Sequence, residues 1–271
     1  MPENEFANEP ALPVQTGRLQ VRLVEEGSRR PVAGAEVMIS YEGDPESSVR
    51  RFITNESGMT ELIELPAPNL EYSTQFSEPQ PYAEYTVQVK AAGYEDAEVE
   101  GTEILPGVTA IQEIRLRSSA GGGVFDRIVI GPHTLYGDYP PKIAESEIKP
   151  VSETGEIVLS RVVIPEYVIV HDGAPTDASA QNYWVRYRDY IKNVASSEIY
   201  ATWTDAAVRA NILAIMSFTL NRVYTEWYRN KGYDFTITSS TAFDQKWIYG
   251  RNIYQNISNV VEEMFGNYLS R

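Results

Sequence analysis

The chain has 271 residues, a net charge of −15 and no cysteine. This length is sufficient for two domains of ordinary size. A protein with so large an excess of acidic groups is repelled by the phosphate backbone, so we expect no nucleic-acid partner. The absence of cysteine excludes disulfide bonds and thiolate metal sites.

Acidic and apolar residues are unevenly distributed along the chain. Residues 1–120 contain 21 acidic and 9 basic side chains, so most of the net charge belongs to this part. Residues 1–16 are rich in Pro and Glu, which predicts a disordered acidic tail without the apolar segment of a signal peptide. The longest apolar stretch, residues 212–218, is far shorter than the roughly 20 residues that cross a bilayer, so we expect no membrane span.

Short alternating patterns follow the tail, over residues 17–117. Leu19, Val21 and Leu23 alternate with polar residues, as strand residues with one buried face do. A turn is expected at residues 55–58, because Gly58 can adopt a positive φ. Strands at this spacing, with no helical pattern between them, predict an antiparallel β-sandwich.

Several short motifs in this part occur in an order that resembles a known accessory domain. They are residues 31–37 (PVAGAEV), 54–58 (TNESG), 85–89 (YTVQV) and 92–94 (AGY). In this order they resemble the carboxypeptidase regulatory-like, or transthyretin-like, sandwich. The resemblance implies a module that carries no catalytic residue of its own.

A glycine-rich segment, residues 118–123 (SSAGGG), separates the two halves of the sequence. Its composition is typical of a flexible linker. It lacks the Lys-Ser/Thr of a P-loop, so a phosphate-binding role is not expected. We therefore predict two separable folding units, residues 17–117 and residues 124–271, the second beginning with a strand-containing connector.

A long helix is predicted after Trp203. Thr204 can cap it, and Asp205 places a carboxylate in the first turn, where the helix dipole favours an anion. An apolar stripe then predicts a helix that continues to about Gly232. A last helix is predicted from about Asn252, with Ile253, Ile257, Val260, Met264 and Tyr268 on one face. The stripe of the first helix consists of Leu213, Met216, Leu220, Val223 and Trp227.

Glu198 lies just before this helix, among the aromatic residues Tyr200 and Trp203. By composition alone, Glu198 is interpreted as an ordinary solvated glutamate on the surface. One carboxylate that is held rigidly beside apolar groups is, however, the minimum requirement for cleaving a sugar polymer by general acid–base chemistry.

An ordered set of motifs around Glu198 resembles the stage II sporulation protein D family over about residues 160–271. The resemblance is closer to the branch found in the spore cortex-lytic enzymes of spore-forming bacteria. It implies a peptidoglycan lytic transglycosylase with Glu198 as acid and base, and an α+β fold in which the sandwich precedes a helix-containing catalytic-type domain. The motifs are Tyr190, Val194, Glu198, Ile199, Trp203, residues 207–211 (AVRAN), 217–220 (SFTL), 221–228 (NRVYTEWY) and 232–238 (GYDFTIT).

The same resemblance implies where the substrate binds. Tyr200, Trp203, Gln245 and Tyr249 are candidates for contact with the glycan strand, although Gln245 and Tyr249 are one residue further apart than in the family. A tyrosine-rich surface is the simpler interpretation of the last two. No cofactor is expected, and the separation of the two histidines in sequence gives no metal-ligand spacing.

The sequence also departs from the family. Thr204 and Ile215 replace a proline and a glutamine, and the Gly-rich segment that normally follows is not present before Arg271. The chain is then either a fragment of a longer enzyme or a short form with a lost or altered activity. The alternative function is a non-catalytic cell-wall or spore-layer binding protein. The resemblance places the protein in the spore or cell wall, with peptidoglycan as partner, and leaves the oligomeric state open.

Overall fold

The computed structural model describes residues 15–43, 49–76, 79–119, 125–133, 135 and 158–269. The predicted tail lies outside these residues except for its last two, which already belong to the first strand. The glycines of the predicted linker also lie outside them. No described helix is both long and apolar enough to span a membrane.

The protein is a mixed α+β chain with three sheets and a small number of helices. A single turn of 3-10 helix, Arg229–Lys231, follows the third helix. The helices are α1 (Glu71–Thr74), α2 (Tyr187–Glu198), α3 (Asp205–Tyr224) and α4 (Gln255–Met264). The strands are β1 (Gln15–Glu25), β2 (Glu36–Tyr41), β3 (Arg50–Ile53), β4 (Ile63–Ala67), β5 (Ala83–Lys90), β6 (Ala97–Ile104), β7 (Thr109–Leu116), β8 (Asp126–Val129), β9 (Tyr167–His171), β10 (Asn182–Arg186), β11 (Ile237–Thr238) and β12 (Ile253–Tyr254).

Two of the sheets form the N-terminal half. Their strand orders are β12-β7-β1-β4 and β3-β2-β5-β6-β8. Alternation places Leu19, Val21 and Leu23 in the core, each fully buried, in the same apolar cluster as Val87 and Val99 of the other sheet. The expected alternation is therefore confirmed, but the sheets are not wholly antiparallel. The pairs β1–β7 and β6–β8 are parallel, and each joins strands that are not consecutive in the chain.

The turn predicted at residues 55–58 is confirmed. The Asn55 side-chain oxygen accepts hydrogen bonds from the backbone N–H groups of Ser57 and Met59. Gly58 has a φ of 71°, and a Cβ there would lie 2.4 Å from the carbonyl oxygen of Leu23. Only glycine fits this close approach, which fixes the connection between β3 and β4.

The helical half differs from its prediction in three places. The helix α2 was not expected. The cap of α3 is confirmed, since Thr204 Oγ1 accepts from the Ala207 N–H at 3.4 Å, but α3 ends at Tyr224 rather than near Gly232. It stops because Glu226 adopts a left-handed φ of 47°, which an α-helix cannot continue through. The last helix begins three residues later than predicted, because Ile253 and Tyr254 form strand β12.

Two strands from beyond the predicted linker belong to the sandwich sheets. Strand β8 pairs with β6, and β12 pairs with β7 through Ile253↔Ile111 and Tyr254↔Ala110. The two halves thus share continuous hydrogen-bonded sheets, although the linker itself stays a prediction.

A fully buried ion pair lies at this junction. The Arg251 guanidinium donates to both carboxylate oxygens of Glu103, each at 2.5 Å. Arg251 also donates to the Ser196 carbonyl at the end of α2 and to Nδ1 of His133, both at 2.8 Å. We call Glu103, His133 and Arg251 the junction cluster. It connects sheet, helix and the segment before α4 at one point.

In place of the two separable folding units that the sequence predicts, we expect the protein to unfold in one cooperative transition, because the shared sheets and the junction cluster cross between the halves. Arg251→Met should lower the free energy of unfolding by about 3–5 kcal/mol, since it leaves the Glu103 carboxylate buried without its guanidinium partner. Arg209→Met removes exposed ion pairs of α3 and should change the free energy of unfolding far less. Urea unfolding followed by circular dichroism measures both. Two resolved transitions in the unmodified protein would contradict this expectation.

Candidate functional site

Glu198 is the last residue of α2 and is half-buried. Its Oε1 atom accepts a hydrogen bond of 2.8 Å from the backbone N–H of Lys246. The α2 sequence explains its placement, because Tyr187, Tyr190, Ile191 and Val194 are buried and fix the helix against the core. Glu198 therefore has a defined position between α2 and the segment that contains Lys246.

Side chains of α2 form hydrogen bonds with the backbone of residues 245–252, which we call the segment 245–252. Asn193 donates to the Ile248 carbonyl at 2.7 Å and accepts from the Ile248 N–H at 3.0 Å, as a neighbouring strand would. Together with the Glu198–Lys246 and Ser196–Arg251 bonds, these contacts repeat along one side of the helix. Helix and segment consequently form one rigid unit.

Two of the predicted sugar-contacting residues, Tyr200 and Trp203, lie in the loop that follows α2. Tyr200 is only 1% exposed and packs on the ring of His133, with 4.7 Å between ring centroids. The Trp203 indole N–H donates to the carbonyl of Ser73 in α1 at 2.9 Å. Tyr200 therefore belongs to the core and not to an accessible surface, and Trp203 joins this loop to the sandwich half.

Gln245 also lies in the interior. Its Oε1 atom accepts from the hydroxyls of Tyr190 and Thr219, at 3.1 and 2.9 Å, and its amide donates to the Ile215 carbonyl. The structure thus gives Gln245 a structural set of partners in α2 and α3, where a ligand cannot reach it. Ile215, which replaces a family glutamine, takes part through its backbone only.

Tyr249 is the predicted site residue that is most accessible, with 38% of its surface exposed. It stacks on Tyr183 of β10 with 4.9 Å between ring centroids, and the Trp247 ring lies 5.3 Å from Tyr183 and 6.3 Å from Tyr249. These rings line an open groove of about 540 Å³ between the helical half and the sandwich. We call it the aromatic groove. The sandwich contributes Arg117, Asp126 and Arg127 to its lining.

The aromatic groove combines flat rings with charged groups. Burial, with Asp172 nearby, raises the pKa of the Tyr183 hydroxyl, and burial, with Asp126 nearby, raises that of Tyr249. Both hydroxyls are therefore protonated and can donate hydrogen bonds at neutral pH. The groove can accept a ligand that has both apolar faces and polar edges.

The structure thus divides the predicted site residues. Glu198, Tyr200 and Trp203 lie around the end of α2, while Tyr249 lies in the aromatic groove. The sequence interpretation missed Tyr183, Trp247 and Asn193. The signal for α2 was present, since Tyr187, Tyr190, Ile191 and Val194 recur at helical spacing. Within the described residues no three His, Asp or Glu side chains are grouped as metal ligands.

No family model and no curated protein matches the sequence. Among solved structures, the TIE protein of Bacillus anthracis is 19% identical, with a TM-score of 0.28, over 38% of this chain and 17% of that chain. The minor pilin GBS52 of Streptococcus agalactiae is 14% identical, with a TM-score of 0.28, over 41% of this chain and 48% of that one. The 5-hydroxyisourate hydrolase of Klebsiella pneumoniae is 16% identical, with a TM-score of 0.24, over 36% of this chain and 89% of that one. Such partial likenesses do not indicate a function.

The junction cluster predicts a pH-dependent stability. Burial lowers the pKa of His133 to about 4, below its value of roughly 6.5 in an unfolded chain. The negative charge of Glu103 opposes this shift, and the positive charge of Arg251 adds to it. The unfolded state therefore binds a proton first as the pH falls, and stability is lost between pH 6.5 and 4. We expect a loss of about 2 kcal/mol from pH 7 to pH 5. His133→Asn keeps an acceptor for Arg251 and should flatten this dependence in thermal melts, whereas an unchanged slope would rule out His133 as its source.

The bonds between α2 and segment 245–252 predict a second effect. Asn193→Ala leaves the part-buried N–H and C=O of Ile248 without side-chain partners, which should cost about 1–3 kcal/mol. The emission of Trp247 should shift to longer wavelength as the segment loosens. Asn259→Ala, which removes an exposed contact with Gln255 on α4, should change stability by less than about 0.5 kcal/mol. Equal effects of the two variants would show that Asn193 does not hold the segment.

Proposed function

We propose that the protein is a lytic transglycosylase that cleaves peptidoglycan or spore cortex, with Glu198 as its acid and base. The observation that carries the proposal is the 2.8 Å hydrogen bond from the Lys246 N–H to Glu198 Oε1, which holds a half-buried carboxylate at a helix end. A general acid must have such a fixed orientation toward the atom that it protonates. The resemblance to the stage II sporulation protein D family supplies the substrate class.

In the proposed reaction, Glu198 donates its proton to the glycosidic oxygen between N-acetylmuramic acid and N-acetylglucosamine, and the C–O bond breaks. The carboxylate then takes the proton of the muramic C6 hydroxyl, whose oxygen bonds to C1 and closes an anhydro ring. The proton is thereby returned to Glu198, and no water is consumed. One carboxylate is therefore sufficient, unlike the pair that hydrolytic glycosidases use.

The surroundings of Glu198 supply further support. The next two residues, Ile199 and Tyr200, are 2% and 1% exposed, so the loop that follows the carboxylate is packed and dry on its inner side. Lys246 binds the Pro132 carbonyl through Nζ at 2.6 Å, which directs its ammonium group to the sandwich half. The first step of the proposed reaction requires a protonated carboxyl group.

A second candidate function is non-catalytic binding to cell-wall glycan or to a spore-layer protein. The observation that favours it is the position of the predicted substrate residues. Tyr200 and Gln245 are buried, at 1% and 4% exposure, and the accessible aromatic rings lie in the aromatic groove instead. A protein with this arrangement could retain glycan through the groove without cleaving it.

The enzyme proposal predicts that Glu198→Gln lowers turnover by about 10²–10⁴, because the amide keeps the size of the side chain and loses the transferable proton. The assay is release of anhydro-muropeptides from purified cortex, read by mass spectrometry. Asp189→Asn removes an exposed carboxylate from the same helix and should leave the product unchanged.

A pull-down on insoluble peptidoglycan, performed with the same proteins, separates the two candidates. Product that depends on Glu198 supports the enzyme. Retention on peptidoglycan without product supports the binding protein. Equal product from the unmodified protein and Glu198→Gln would remove Glu198 from the mechanism.

A further inference from the structure

The aromatic groove is formed jointly by both halves of the protein. Tyr183 comes from β10, Trp247 and Tyr249 from the segment bound to α2, and Arg127 from β8 of the sandwich sheet. A volume of about 540 Å³ lies within the range of roughly 300–1,000 Å³ that is common for small-molecule sites. The groove is thus large enough for a ligand and depends on the sandwich for one wall.

The charges of the groove argue against an anionic ligand. Arg117 is bound to Glu26 at 2.9 Å and lies 3.9 Å from Asp126. Arg127 donates to both carboxylate oxygens of Glu100 at 2.8 Å. Because these guanidinium groups already have carboxylate partners, they leave no surplus positive charge for a phosphate or sulfate. A neutral ligand is favoured.

The remaining lining provides the two kinds of contact that a sugar chain uses. The stacked rings of Tyr183 and Tyr249 offer flat faces to the C–H groups of a pyranose ring. Asp172 and Gln181 offer acceptors and a donor to hydroxyl and amide groups at its edge. Ile128 adds an apolar surface beside the rings, where a methyl group can be buried.

Trp247 is the third ring of the groove. It lines the groove with only 6% of its surface exposed, and its indole N–H has no hydrogen-bond partner among the described residues. The Nε1 atom itself has almost no accessible surface, so Trp247 contributes to the groove through atoms other than this donor.

We propose that the aromatic groove binds a neutral oligosaccharide of N-acetylated hexosamines, at a site separate from Glu198. The sugar rings stack on Tyr183 and Tyr249, and the acetyl methyl groups contact Ile128. The choice of N-acetylated sugars rests in part on the proposed function, but the site itself does not require Glu198 to be catalytic. The sandwich is then a part of the glycan-binding surface and has more than an accessory role.

The probe is the tetrasaccharide of β-linked N-acetylglucosamine, titrated calorimetrically into the full chain. Tyr249→Ala should weaken its binding by at least about tenfold, whereas Tyr249→Phe keeps the ring and should bind nearly as the unmodified protein does. Trp184→Ala is the matched control. Trp184 follows Tyr183 on β10, is 71% exposed and lines a different cavity, so its removal should leave affinity unchanged.

Glu198→Gln distinguishes catalysis by Glu198 from glycan binding in the aromatic groove. This variant should lose the anhydro-muropeptide product but retain full affinity for the tetrasaccharide. Circular dichroism of each variant establishes that it is folded. The proposal is overturned if the unmodified protein does not bind the tetrasaccharide, or if Tyr249→Ala binds it as well as the unmodified protein does. Equal binding of a glucose tetrasaccharide would overturn the preference for acetylated sugars.

Discussion

The buried ion pair between Glu103 and Arg251 is the interaction on which the arrangement of both halves depends. Neither side chain has any exposed surface, so each charge must find its compensation inside the protein. Two parallel hydrogen bonds fix the guanidinium plane, and a third to Ser196 fixes the end of α2 relative to β6. Displacing either half would leave a charge without a partner.

The ion pair affects the positions of both candidate sites through one short stretch of chain, the segment 245–252. Arg251 lies two residues after Tyr249 and four after Trp247, so the ion pair also limits where the rings of the aromatic groove can lie. On the other side of the segment, Asn193 and Glu198 bind its backbone. A carboxylate proposed for catalysis and a groove proposed for binding are thus positioned by the same set of contacts, although they face different parts of the surface.

Local signals were sufficient for much of the fold. The alternation of Leu19, Val21 and Leu23, the turn at Gly58 and the cap at Thr204 depend on neighbours in sequence, and all three could be predicted. The end of α3 could not, because the left-handed Glu226 carries no propensity signal. The parallel pairing of β1 with β7 was also missed, since it is decided by which distant strands share the core.

The candidate sites show the same division. A resemblance selected Glu198, and the helical spacing before it could have revealed α2. The burial of Tyr200 and Gln245 depends on partners such as His133 and Thr219, which are far from them in sequence. The aromatic groove combines side chains from three separate stretches of the chain, so no window of sequence contains it. Pairings of this kind become visible only after the chain has folded.

The order of synthesis gives the junction cluster a further significance. Glu103 leaves the ribosome 148 residues before Arg251, so the sandwich emerges with a carboxylate in its core position and no cation to neutralise it. Contacts between such distant residues also form slowly, because a long loop must close first. Until Arg251 has been synthesised, the nascent sandwich can keep the Glu103 carboxyl group protonated or leave the end of β6 open to water. The core of the N-terminal half is therefore complete only after Arg251 has been synthesised, although its strands are made first.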